Sequence, residues 1–313
     1  MDNATSTVSV VEKSARATLT VACMLGGIVL NVPIIIAIIG TKKLHTQQHI
    51  LVCHLSLVHL LASSLIMPLQ IAFILLGGDL NKKYLRCDGM VLITTSIDCA
   101  ALSTISSLAV EYFLSLSRPF RQANSSKRNF FLQFSFIWIL SICCGIISIG
   151  IDYEIFNSIC VASNDNWRHI LQVFVSSLLP ILLTFVSLMY IVQVTNNQQR
   201  RIVAVVQIAT LAVRTSASAI KIKSVTTSVA YRLGACIICY GPIIACRLGR
   251  AKEPVLLSIV TIFWHFAPII NAIVYGLQNR TIMGALKVYV RRRCINPPMP
   301  TTSDIRRNIY FRG

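Results

Sequence analysis

The sequence predicts an all-α integral membrane protein, a bundle of seven transmembrane helices. Two observations carry that expectation. The 313 residues are 55% hydrophobic and only 13% charged, too apolar for an ordinary soluble domain. Seven windows also reach the length of roughly 20 mostly apolar residues that a bilayer-spanning helix needs. They cover 19–40, 49–77, 88–117, 130–150, 169–195, 228–248 and 255–277. No recurrent strand alternation points to a barrel. The expected layout is an N-terminal tail (1–18), the seven-helix domain (19–278) and a C-terminal segment (279–313).

The elements follow in order. The opening stretch is polar, with no apolar core ahead of a cleavage site, so the first helix is expected to direct insertion. Asn3-Ala4-Thr5 is a glycosylation sequon. Lys42, Lys43, Arg118, Arg121, Arg200 and Arg201 fall on one side of the bundle, and the basic tail joins them. Asp79, Asp88, Asp152, Glu154, Asp165 and Glu253 fall on the other. The positive-inside rule therefore puts the N-terminus outside and the tail in the cytoplasm, and a plasma-membrane site is expected. The net charge of +18 is thus read as contact with anionic membrane lipid rather than with nucleic acid. The segment 196–227 is either an extension of the fifth helix or a membrane-surface helix.

Within the spans, Pro33, Pro68, Pro180, Pro242 and Pro268 each remove a backbone donor, which suggests kinked helices around an interior cavity. Ionisable groups at this depth are costly and face the interior or water. Three stand out: His59, Asp98 and His265. Asp98 lies four residues after Thr94, on one helical face. Asp98 either meets a ligand or is tied internally to His59 or His265. Trp264 and Tyr240 either line the same cavity or pack the core. Among the eleven cysteines no spacing suits a metal cluster. Cys87 and Cys160 fall on the predicted outer face, either as a disulfide or as two free thiols. Cys294 follows a run of three arginines and is a candidate for palmitoylation. No grouping points to an enzyme, and no cofactor is expected.

These marks, taken in order, resemble the rhodopsin-like G-protein-coupled receptors over nearly the whole chain. Asn31 in GGIVLN, Pro68 in LSLVHLLASSLIMP, Trp138 and Pro180 match helices one, two, four and five. CYGP (239–242) resembles the sixth-helix motif and NAIVY (271–275) the seventh. NRTIMGALKVYVRRRC resembles a short amphipathic eighth helix with its lipidated cysteine. Cys87 and Cys160 occupy the positions of the family's outer disulfide. The resemblance implies a small extracellular ligand, contacted by Thr94, Asp98, Tyr240, Trp264 and His265. It also implies a heterotrimeric G protein, reached through Asn31, His59, Glu111, Tyr112, Phe113, Asn271 and Tyr275.

Several residues depart from the family pattern. Glu111-Tyr112-Phe113 stands where the family has an acid, arginine and tyrosine, so Tyr112 cannot form the usual ion pair. Glu111 is then expected to protonate or to pair with Arg118 or Arg121. His59 replaces the aspartate that helps bind sodium, Tyr240 a tryptophan, Ala272 a proline and Leu188 a tyrosine. Pro268 is expected to supply a substitute kink in the seventh helix. Thr94 replaces the aspartate of amine receptors. YGLQN resembles odorant receptors, and Pro68 resembles amine and adenosine receptors, but neither selects a ligand. The expected function is a ligand-activated receptor; the alternative is a receptor-like decoy or partner subunit with weak signalling.

Overall fold

The computed structural model describes residues 2–76, 83–117, 127–149, 151, 153–156, 159–162, 167–209, 212–249 and 253–291. The seven spans are present, as Val10–Gly40, Gln47–Leu75, Cys87–Ser115, Phe131–Ser148, Trp167–Asn197, Tyr231–Gly249 and Val255–Leu277. We number the helices that carry them α1 (Asp2–Gly40), α2 (47–76), α3 (Lys83–Ser117), α4 (Lys127–Ser148), α5 (167–209), α6 (Ala212–Gly249) and α7 (254–277). A further helix, α8 (Arg280–Val290), follows α7. Asn279 caps α8: its side chain accepts from the backbone N–H of Thr281 at 3.0 Å.

Two boundaries differ from expectation. α1 is already helical at Asp2, ahead of the span expected from 19. Glu12 and Arg16 are one turn apart there, an arrangement that favours helix. Ser258 of α7 also donates to Glu12 at 3.3 Å. The segment 196–227 resolves as the continuation of α5 to Ala209 and a long N-terminal extension of α6 from Ala212.

α3 is the axis of the bundle. Within the hydrophobic windows, 78% of α3 is buried, against 28% of α4. Its inward residues are small or polar (Ala100, Ala101, Ser103, Thr104), so neighbouring backbones approach closely. The large exposed apolar residues, such as Leu25, Val29, Phe136, Ile139 and Leu182, lie on outer faces where hydrocarbon is the solvent. Two glycines mark close helix crossings. A Cβ on Gly145 of α4 would meet Ser96 and come within 2.9 Å of the Leu92 carbonyl of α3. One on Gly27 of α1 would meet Ser63 and Pro268.

A buried polar knot ties α2, α3 and α4. Trp138 Nε1 donates to His54 Nε2 at 3.0 Å, so that nitrogen is unprotonated. His54 Nδ1 therefore carries the proton and donates to Thr104 Oγ1 at 3.0 Å. Thr104 in turn donates to the Ala100 carbonyl.

Three of the five prolines coincide with irregular turns, whereas Pro33 and Pro242 lie within uninterrupted α-helix. Widened turns occupy Ala62–Ile66 ahead of Pro68 and Phe174–Leu178 ahead of Pro180. In α7 the α-helical run stops at His265 and resumes at Ala267, with Pro268 in the first turn of the new segment. A third widened turn, Ala272–Leu277, covers the region where the family's proline is missing.

The loop between α4 and α5 forms a feature not expected from sequence, a two-stranded antiparallel hairpin of β1 (Tyr153–Phe156) and β2 (Ile159–Ala162). Ile155 pairs with Cys160 in its register. Cys160 is bonded to Cys87 at the start of α3, with Cα atoms 5.7 Å apart. The bridge pins the hairpin across that end of the bundle.

Candidate functional site

Beneath the hairpin is a cavity of about 130 Å³. Its walls come from α1, α2, α3, α5, α6 and α7, with Tyr153, Cys160, Val161 and Ala162 of the hairpin lining it above. Burial pushes the Tyr153 phenol well above its usual pKa. Thr94, Trp264 and His265 line this cavity. Thr94 is buried, and its hydroxyl has no hydrogen-bond partner among the described residues. His265 is held from two sides. Its Nε2 bonds Gln70 Oε1, and its Nδ1 lies 3.3 Å from Thr20 Oγ1.

Asp98 and Tyr240 sit below the cavity, in the wall of a much smaller void with His59 and Pro268. Asp98 is tied internally, but to neither histidine. Its Oδ1 accepts from Trp264 Nε1 at 2.8 Å, and its Oδ2 meets Arg247 at 3.4 Å. The physical reason is reach. Arg247, in the last turn of α6, folds its long side chain inward to the carboxylate. Trp264 lies between Asp98 and the cavity above. Arg16, His169 and Arg247 also line the cavity, and sequence reasoning had not singled them out. The available signal was charge inside helical segments: Arg16 lies just before the first expected window and Arg247 within the sixth.

Polar contacts continue below the cavity floor. Tyr240 Oη and Asn271 Nδ2 each lie 3.4 Å from His59 Nε2. Asn31 Nδ2 donates to the carbonyls of Gly27 and Pro268, joining α1 to α7. The Asn31 and Asn271 carbonyl oxygens and His59 Nδ1 are buried without a partner among the described residues. Such atoms call for ordered water.

At the far end of the bundle stand Glu111, Tyr112 and Phe113. Glu111 accepts from Gln47 Nε2 of α2 at 2.7 Å. Arg118 and Arg121, its expected partners, lie outside the described residues, as does Cys294. Asn3 lies in the first turn of α1, and its side chain is likewise outside the description. Phe113 packs on Tyr190 of α5, with ring centroids 5.8 Å apart, beside Leu188. Tyr112 takes part in a contact that the sequence did not reveal. The Arg232 guanidinium of α6 lies 3.9 Å from the Tyr112 ring and 5.5 Å from that of Tyr275. A cation is therefore present where helices three, six and seven meet, but it comes from α6 and stacks on the tyrosine of α3.

The family profile described as 7 transmembrane receptor (rhodopsin family) matches residues 30–275. No curated protein matches the chain. The profile runs from the end of α1 through Tyr275 of α7 and covers most of the seven-helix bundle just described. The chain is a multi-pass membrane protein and belongs to the rhodopsin family of seven-transmembrane receptors.

Proposed function

We propose that this protein is a plasma-membrane receptor that takes a small extracellular ligand beneath the hairpin and signals through a heterotrimeric G protein. In this reading the N-terminus is outside, where Asn3 is available for glycosylation. The basic tail is in the cytoplasm, with Cys294 available for palmitoylation.

One observation carries the reading. Two elaborated ends of the bundle share the inward-facing helices α3, α6 and α7. The upper end is a covered cavity, and the lower end is the clasp of Arg232, Tyr112 and Tyr275. Between them lie two buried polar sets, Trp264 and Arg247 on Asp98 and Tyr240 and Asn271 on His59, with Asp98, Tyr240 and His59 bordering one small void. A ligand that moves α6 or α7 at the cavity has a mechanical route to the clasp. The clasp supplies the cross-helix cation contact that Tyr112 alone could not. Cation–π contacts of this kind contribute about 0.5–2 kcal/mol, weak enough for a ligand to overcome.

A second reading, a decoy or partner subunit without G-protein output, is favoured by Tyr112 itself. The ligand arm of the proposal is tested by screening small metabolites on cells that display the wild type and Thr94→Trp at matched surface levels. The indole would fill the cavity. Responses are expected from the wild type only; responses that persist in Thr94→Trp would place ligand recognition elsewhere.

A further inference from the structure

The charges around the cavity are distributed unequally between its wall and the layer behind. Arg16, Arg247 and His169 line it, and no carboxylate does so among the described residues. Two nearby acids are engaged: Asp98 is occupied by Trp264 and Arg247, and Glu12 accepts from Ser258. A cationic ligand would meet two guanidinium groups and no free carboxylate oxygen on this wall.

Arg247 has donors to spare. A guanidinium carries five N–H groups in a planar fork. Its single side-chain bond among the described residues is the 3.4 Å contact to Asp98 Oδ2, and its side chain is 28% exposed. Thr94 adds a hydroxyl with no partner among the described residues, although the residue is only 8% exposed. Thr94 is one turn from Asp98 on the same face of α3, and Asp98 holds Arg247. The hydroxyl and the guanidinium therefore border the same part of the wall. Much of the remaining lining is apolar, including Phe73, Ile74, Met90, Val173, Ile243 and Leu257.

We infer that the cavity takes a small organic anion, a carboxylate on a compact apolar body, with its oxygens held by Arg247 and Thr94. The fork of Arg247 suits two carboxylate oxygens, and the apolar wall takes the body. Asp98 and Trp264 position the fork from below. This inference rests on the receptor reading but adds a ligand class to it.

The test is ligand-induced thermal stabilisation of the purified receptor in lipid nanodiscs. The probes are short branched and aromatic carboxylic acids, compared with the alcohols and amines of the same carbon skeletons. Acids are expected to raise the melting temperature while alcohols and amines do not. Thr94→Val, which leaves the ion pair intact, should weaken the best acid several-fold. Arg247→Gln should weaken it about tenfold to a hundredfold, the range of a charge-assisted hydrogen bond. Because that variant strands Asp98, the charge-balanced double variant Asp98→Asn with Arg247→Gln is measured beside it. An unliganded melting temperature near that of the wild type shows that the double variant folds. Stabilisation by amines or alcohols but not acids would overturn the anion assignment and leave the receptor reading standing. Acid stabilisation equal in the wild type and the folded double variant would overturn the role of Arg247. No stabilisation by any class would overturn the inference and remove support from the ligand-binding reading as well.

Discussion

A histidine at membrane depth can be a ligand contact or a structural tie, and the partners of His54 decide the matter. One ring nitrogen accepts from Trp138 and the other donates to Thr104, so both sides of the ring are used. His54→Leu leaves the Trp138 indole without its acceptor. The expected cost is about 1–3 kcal/mol, measured as a lower melting temperature in nanodiscs, and Trp138→Phe, which leaves His54 Nε2 without its donor, should cost a similar amount. An unchanged melting temperature in His54→Leu would show that the knot carries no stability. At this scale the sequence was only partly readable. Asp98 stood out because a carboxylate at such depth needs a partner, yet its partner could not be found by span arithmetic. Arg247 lies close to the end of the sixth window, where a basic residue reads as a boundary. His54 lies near the start of the second window and escaped notice for the same reason. Arg232 reads as one more inner-face cation until its stacking on Tyr112 is seen.

Among the elements, the seven helices were readable because twenty-odd apolar residues have few alternatives in a bilayer. The hairpin was not, because four-residue strands such as YEIF and ICVA carry too little alternation to stand out. Its position depends on Cys87–Cys160, a bridge across a sequence separation of 73. Cys87→Ser is expected to reduce surface display strongly, since a disulfide contributes about 2–4 kcal/mol, and to open the cavity roof. Flow cytometry on intact cells reads the display; a level equal to that of the wild type would show that the hairpin holds without the bridge. The α3–α4 crossing rests on Gly145. Gly145→Leu would drive a side chain into Ser96 and the Leu92 carbonyl, with an overpacking cost of about 1–3 kcal/mol or more. Display of that variant should also fall, whereas Gly89→Ala on α3, which meets nothing within 4 Å, should be displayed normally.

For the molecule as a whole, the account joins a covered cavity to a clasp through three shared helices. Its central claim is that Tyr112 does not silence the receptor, because Arg232 now supplies the cation. That claim separates a signalling receptor from a decoy. The most direct measurement is basal G-protein activation across a panel of G proteins, with wild type, Arg232→Gln and Tyr112→Arg displayed at matched surface levels. Arg232→Gln removes the stacked cation. Tyr112→Arg sets a second guanidinium against Arg232, a like-charge contact that drives α6 from α3. The account predicts low basal activity in the wild type and a several-fold rise in both variants on the same G protein. Normal display with no activation by any of the three on any G protein would contradict it and leave the decoy reading in its place.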